Sequence, residues 1–205
     1  METFNVIQTN LDLERLSSDC RRINTKVLKN FSEENIPSNK KYNEVLNKSL
    51  SLAPQSSRLH DLYNVFLFPY DGIHELYATV SREFKTCNSS TDPYYVHAWL
   101  NYQHRGETIP WHYHWHGLSG LEQTHVATFY INAEPSVTQF EDTAGNRVEQ
   151  SNKNNTFVIY EDQGNQHMVS EWLEDKPRIS ISMDFVPMKY IQGMPYVLNT
   201  WIPIL

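Results

Sequence analysis

Cysteine is scarce: the 205 residues contain two, Cys20 and Cys87, far apart and in no CxxC or CxxH setting. That excludes a disulfide framework and a thiolate zinc cage, and both read as reduced packing thiols. Glycine (7) and proline (10) are too few and too scattered for a linker or collagen-like chain. No apolar run approaches the roughly 18 residues that a membrane span requires, so a soluble protein is expected. Positive charge is also short, with 17 Lys and Arg against 24 Asp and Glu. The imbalance sits in the second half, where residues 101–205 carry 6 basic and 12 acidic side chains. Such a surface disfavours nonspecific binding to a phosphate backbone. Residues 1–15 carry Glu2, Asp12, Glu14 and Arg15 with no apolar stretch behind a basic opening. No secretory leader is therefore expected, and a cytoplasmic location is. What the chain does have is core material: 40% apolar residues, with 5 Trp, 12 Tyr and 9 Phe, and only 20% charged. That suits one domain with a modest extension better than two large ones.

The first part reads as helical. From Asn10, a possible cap, the positions Leu13, Leu16, Cys20, Ile23 and Val27 recur at threes and fours, predicting a helix to about Asn30. Ser32 to Lys41 reads as loop, and Tyr42 to Leu52 as a short second helix stopped by Pro54. Asp71, then Ile73, Leu76, Tyr77, Val80 and Phe84, predict an amphipathic helix whose stripe needs a sheet to lie on. After Cys87 the period becomes two. Tyr94 to Tyr102, Val126 to Asn132, Val137 to Phe140, Thr156 to Glu161, Gln166 to Leu173 and Arg178 to Val186 read as strands, separated by turns rich in Gly, Asn and Asp. Helices followed by a run of strands indicate an α+β chain with its sheets in a sandwich or jelly roll. The tail, Tyr190 to Leu205, is broken by Pro195 and Pro203 and is expected to pack along an edge.

Three of nine histidines fall within five residues, Trp111-His112-Tyr113-His114-Trp115-His116. On an extended strand, His112, His114 and His116 share one face at spacings of roughly 6 to 7 Å. Neutral imidazole is a common ligand for iron, zinc, copper and nickel, and two such ligands need a third from elsewhere. His167, at the head of a strand, can supply it. The alternative is that these rings are ordinary hydrogen-bonded packing groups, the reading given singly to His60, His74, His97, His104 and His125. Trp111 and Trp115 read as packing residues or as walls of a site.

Eleven residues beyond His167 comes Arg178-Ile179-Ser180-Ile181-Ser182-Met183-Asp184-Phe185, polar at even and apolar at odd positions. Alternation puts Arg178 and Ser180 on one face and the Ile, Met and Phe set on the other. A guanidinium on an inner face is costly unless an anion meets it, and a carboxylate matches its planar fork. The competing reading is an exposed arginine paired with Glu174 or Asp175.

Taken together, H-x-H, a distant His, and R-x-S about ten residues later resemble the 2-oxoglutarate and Fe(II)-dependent oxygenases, particularly their prolyl-hydroxylase-like branch. The resemblance covers roughly residues 95–187 and is strongest over Ile159 to Pro187. It implies a double-stranded β-helix, a cupin-like jelly roll, with N-terminal helices packed on one sheet. The implied organisation is a helical region over 1–92, an oxygenase core over 93–187 and a packing tail over 188–205, counted as one structural domain. It also implies Fe(II) on His112, His114 and His167, and 2-oxoglutarate anchored by Arg178 and Ser180. Tyr102, with Gly106, resembles the family's lead-in strand, and Phe129-Tyr130-Ile131-Asn132 the strand whose Tyr contacts the cosubstrate. Tyr102 and Tyr130 are thus further cosubstrate candidates.

Counting from Tyr102 favours His112 and His114 as the ligand pair, whereas counting back from Tyr130 favours His114 and His116. His114 is common to both. The chain departs from the family in having no Asp or Glu within 112–116, where most members place a carboxylate on iron. Three histidines leave the centre one charge unit more positive, unless Glu122 joins it. The implied reaction uses O2 and 2-oxoglutarate to hydroxylate a substrate C–H, releasing succinate and CO2. Two rivals stay open: a three-histidine cupin enzyme that does not use 2-oxoglutarate, and a noncatalytic jelly-roll binding module. Substrate and oligomeric state are not legible in the residues.

Overall fold

The apolar stripe on the first helix settles against a sheet, and the rest of the architecture follows from that contact. A computed structural model describes residues 4–30, 53–114, 124–141, 144–161, 166–191 and 200–205. Strand β1 (Asn5–Gln8) leads into α1 (Leu13–Asn30), whose Leu16, Cys20, Ile23 and Val27 are buried. The cap is Asp12 rather than Asn10, its Oδ1 accepting the Arg15 N–H at 3.0 Å. The expected loop over Ser32 to Lys41 and the short helix over Tyr42 to Leu52 lie outside the described residues. A short helix α2 (Gln55–Arg58) and two 3-10 turns, His60–Leu62 and Val65–Leu67, lead to α3 (Asp71–Cys87). Helix α3 buries Ile73, Leu76, Val80 and Phe84, and the Phe84 ring stacks on Phe185 with centroids 4.3 Å apart. The two long helices approach closely at Gly72, where a Cβ would stand 2.8 Å from Asp19 Oδ2. That buried carboxylate accepts the Gly72 N–H at 3.1 Å.

The strands are β2 (Tyr94–Gln103), β3 (Ile109–His112), β4 (His125–Asn132), β5 (Val137–Glu141), β6 (Arg147–Ser151), β7 (Thr156–Glu161), β8 (Gln166–Val169) and β9 (Arg178–Pro187). A helical turn, α4 (Met188–Ile191), and β10 (Ile202–Pro203) follow. They form two antiparallel sheets, one ordered β1-β7-β4-β9-β2-β10 and the other β3-β8-β5-β6. On the larger sheet Ile179, Ile181, Met183 and Phe185 of β9 join Ala127, Phe129, Phe157 and Ile159 in one core with the helices. Alternation then turns Arg178, Ser180, Ser182 and Asp184 toward the smaller sheet, where a cavity opens between the two.

Two expectations of the strand pattern need correction, and four strands carry no signal in it. The strand begun at Gln166 ends at Val169, because Trp172 leaves the sheet to exchange backbone hydrogen bonds with Gly106 and Glu107. Gly106 itself holds a φ of +86° at the turn after β2, a conformation that costs other residues energy. The histidine strand stops at His112, and the chain bends at His114. Strands β1, β3, β6 and β10 carry no legible period-two signal: β3 contains Pro110, β6 is polar and exposed, and β1 is an edge held by backbone pairing to β7. Among the described residues, no helix is long and apolar enough to cross a membrane.

Candidate metal centre

His112 and His167 face one another directly across the β3–β8 ladder, so the sheet itself presses their rings together, with centroids 4.2 Å apart. The bend after β3 swings His114 to the same point, where its Nε2 lies 3.1 Å from His167 Nε2. The candidate ligand atoms of the three residues lie within 4.8 Å of one another, and they form the one such group among the described residues. Nitrogens bound at about 2.0–2.1 Å to one cation and at right angles to each other are about 3 Å apart. The His114–His167 spacing matches that, as expected for adjacent positions on an octahedral ion.

The outward nitrogens are already engaged. His112 Nδ1 donates to the Pro110 carbonyl at 2.9 Å, and His114 Nδ1 meets Asp184 Oδ1 at 2.5 Å. His167 Nδ1 lies 3.5 Å from the Tyr160 hydroxyl. With Nδ1 carrying the proton, His112 and His114 turn the Nε2 lone pair inward, which is the tautomer a metal requires. Burial, reinforced by the neighbouring imidazoles, pushes His112 down to about 3 and holds His167 well below its ordinary value. Both are therefore neutral and able to donate a lone pair.

Arg178 lies on the floor of the same cavity, at one end of β9, and is 0% exposed. Its Nε donates to Ser136 Oγ at 2.9 Å, and its Nη1 to Ser180 Oγ at 2.9 Å and Gln103 Oε1 at 3.3 Å. Nη2 has no partner. The Tyr130 ring lies 5.7 Å from the guanidinium carbon, and the Tyr130 hydroxyl bonds Thr138 Oγ1. Burial pushes the guanidinium down to about 10, which leaves it a cation at neutral pH. A buried cation whose hydrogen bonds among the described residues all go to neutral oxygens could receive an anion. The competing reading of Arg178 is overturned: Asp175 pairs with Arg105 instead. One cavity, about 510 Å³, is thus lined by both the histidine cluster of the smaller sheet and the guanidinium of the larger. Asn101 also lines it, donating to Ser182 Oγ and accepting from Ser57 Oγ.

No family model matches the sequence, and no curated protein matches it. Solved structures do. A prolyl-4-hydroxylase from Pseudomonas putida is similar over 92% of this chain and 87% of its own, with a TM-score of 0.55 at 12% identity. A prolyl hydroxylase from Trichoplax adhaerens, in complex with a hypoxia inducible factor peptide fragment, covers 93% and 86%, again with a TM-score of 0.55 at 12% identity. The chain shares the fold of these two solved structures.

In this fold His112, His114, His167, Arg178, Ser180 and Tyr130 all line the same cavity. Tyr102 does not, and its expected contact with the cosubstrate is corrected. It sits at an even position of β2, whose even residues pack on the helices while Trp99, Asn101 and Gln103 face the other way. Trp111 lines the cavity wall under the Arg147 guanidinium, so it is more than a packing residue. His60 also reaches the wall, while His97 is a satisfied core histidine, bonded to Thr200 Oγ1 and the His60 carbonyl. Trp115, His116 and Glu122 lie outside the described residues. Residue-level reading missed Asp184, Gln103 and Ser136. Asp184 was within reach, because it continues the even-numbered row of Arg178, Ser180 and Ser182. Gln103 and Ser136 carry no local signal, since only the non-local fold brings them to Arg178.

Proposed function

We propose that the protein is an Fe(II)- and 2-oxoglutarate-dependent dioxygenase that hydroxylates a substrate C–H bond, consuming O2 and releasing succinate and CO2. The observation that carries this reading is the pairing, in one cavity, of three clustered imidazoles with a buried guanidinium whose hydrogen bonds among the described residues go to neutral oxygens. A metal site without a cosubstrate, as in the cupin alternative, has no use for such a cation. On this reading the strands form a double-stranded β-helix. The helical region over 1–92 braces it, the core spans 93–187 and the tail over 188–205 packs along it. Two free thiols, one exposed at Cys87, suit the reducing cytoplasm.

His112, His114 and His167 would hold the iron on one face through Nε2, leaving the opposite positions for cosubstrate and oxygen. Arg178 Nη2 and the Ser180 hydroxyl would take the distal carboxylate of 2-oxoglutarate, and Tyr130 would close over it. Iron bound there would supply the activation of O2 that couples oxidative decarboxylation of the cosubstrate to hydroxylation of the C–H bond. Trp99, Trp111 and Tyr113 line the remaining space, so that water is kept from the site and the substrate is positioned against it. The protein from Trichoplax adhaerens is in complex with a peptide fragment, and a peptide is accordingly one substrate class to test.

The experiment is uncoupled turnover. Purified protein with Fe(II), ascorbate, O2 and 2-oxoglutarate should form succinate above the level of the His167→Ala variant. Succinate equal in the two would reject the assignment.

A further inference from the structure

The loss of a carboxylate from the ligand positions raises a charge problem that Asp184 answers. Fe(II) with dianionic 2-oxoglutarate is neutral, so a two-histidine, one-carboxylate set gives a net negative centre and a three-histidine set does not. Asp184 is 9% exposed, sits on the cavity face of the central strand β9, and places Oδ1 2.5 Å from His114 Nδ1. We infer that Asp184 is a positioning residue for the metal centre, which supplies through the His114 imidazole the negative charge and the ligand orientation that a coordinating carboxylate would otherwise give. This rests on the three-histidine reading above.

The physical argument has two parts. A carboxylate that accepts the Nδ1 proton fixes the His114 tautomer, so Nε2 is the nitrogen with a lone pair at the metal. It also polarises the ring, making that lone pair a stronger donor. Among the described residues the other two ligands have no carboxylate partner: His112 Nδ1 donates to a neutral peptide carbonyl, and His167 Nδ1 stands 3.5 Å from a phenol. Among those residues the charge therefore enters through His114 alone. Asp184 meets the His114 ring at Nδ1 while Nε2 faces the other histidines, so the negative charge sits one imidazole away from the ligand nitrogens. Asp184 is held for this role by β9, which is hydrogen-bonded on both sides, to β2 and β4.

Co(II) serves as the probe, with no cosubstrate and no turnover. The wild-type protein should bind one Co(II) per chain, and Asp184→Asn, which keeps shape and acceptor oxygen but removes the charge, should bind roughly 10- to 100-fold more weakly. Asp184→Glu should recover part of that loss. In a His114→Ala background, Asp184→Asn should have no further effect, because the coupling runs through that ring. If the wild type binds no Co(II), the three-histidine reading fails and takes the inference with it. If the wild type binds and folded Asp184→Asn binds within threefold of it, the reading stands and the inference is overturned. Should Asp184→Asn not fold, nitrogen-15 NMR of the Zn(II)-loaded wild type decides. Coordination through His114 Nε2 with a proton on Nδ1 supports the inference, and coordination through Nδ1 overturns it.

Discussion

Replacing Arg178 by methionine separates the two halves of the cavity. In the ligand-free protein Arg178 is a buried cation with three hydrogen bonds to neutral oxygens and one unused Nη2. When a carboxylate arrives, that nitrogen gains a charge-assisted bond, and a buried unpaired charge becomes a paired one. Removing one member of such a pair costs about 2–5 kcal/mol. Taking about 3–4 kcal/mol, the Kd for 2-oxoglutarate should rise roughly 100- to 1,000-fold. Ligand-free stability should move by no more than about 1–2 kcal/mol, since loss of the hydrogen bonds to Ser136, Gln103 and Ser180 opposes relief of the buried charge. Anaerobic calorimetry with Mn(II)-loaded protein reads the affinity directly. Arg178→Lys should fall between, keeping the charge without the fork. A folded Arg178→Met protein that binds 2-oxoglutarate within threefold of wild type would refute the assignment of the guanidinium.

The two tyrosines make a paired prediction: Tyr130→Phe should weaken 2-oxoglutarate about fivefold, by roughly 1 kcal/mol, whereas Tyr102→Phe should leave it unchanged, both by the same calorimetry. His97 predicts a pH dependence of stability. Burial pushes it down to about 4 from 6.5, so the folded state binds fewer protons than the unfolded one between those values. Its contribution is complete above about pH 6.5 and is lost as the pH falls toward about 4, on the order of 3 kcal/mol in all. Urea denaturation at pH 7 and pH 5 should show the drop, and His97→Gln should flatten it. Gly72→Ala should destabilise the fold by about 1–2 kcal/mol despite better helix propensity, because its Cβ displaces the Asp19 carboxylate; a rise in the urea midpoint would contradict the close approach of α1 and α3.

Much of this architecture could be read from residues whose environment is set locally. The stripes of α1 and α3 each have one face to bury, and the buried sets match the periodicity, while the alternation of β9 separates an apolar face on the helices from a polar face on the cavity although both are buried. Legibility failed where pairing rather than burial makes the element, as at β1, and where the signal is broken, as by Pro110 in β3. The site divided in the same way. The type and spacing of His112, His114, His167 and Arg178 pointed to a metal and an anion, but an unbroken strand was the wrong device for joining the histidines. The cluster forms because His112 pairs across to His167 and the chain bends to bring in His114. Tyr102 was misplaced because its motif-like position carried more weight than its parity in β2, which put it with Ala98 and Leu100 against the helices.

Anaerobic addition of Fe(II) and then 2-oxoglutarate, followed in the visible spectrum, tests most directly whether one cavity holds both. A weak charge-transfer band should appear only when both are present, should be absent in His167→Ala, and in Arg178→Met should require far more 2-oxoglutarate to saturate. Folded wild-type protein that binds Fe(II) yet gives no band at saturating 2-oxoglutarate would contradict the account.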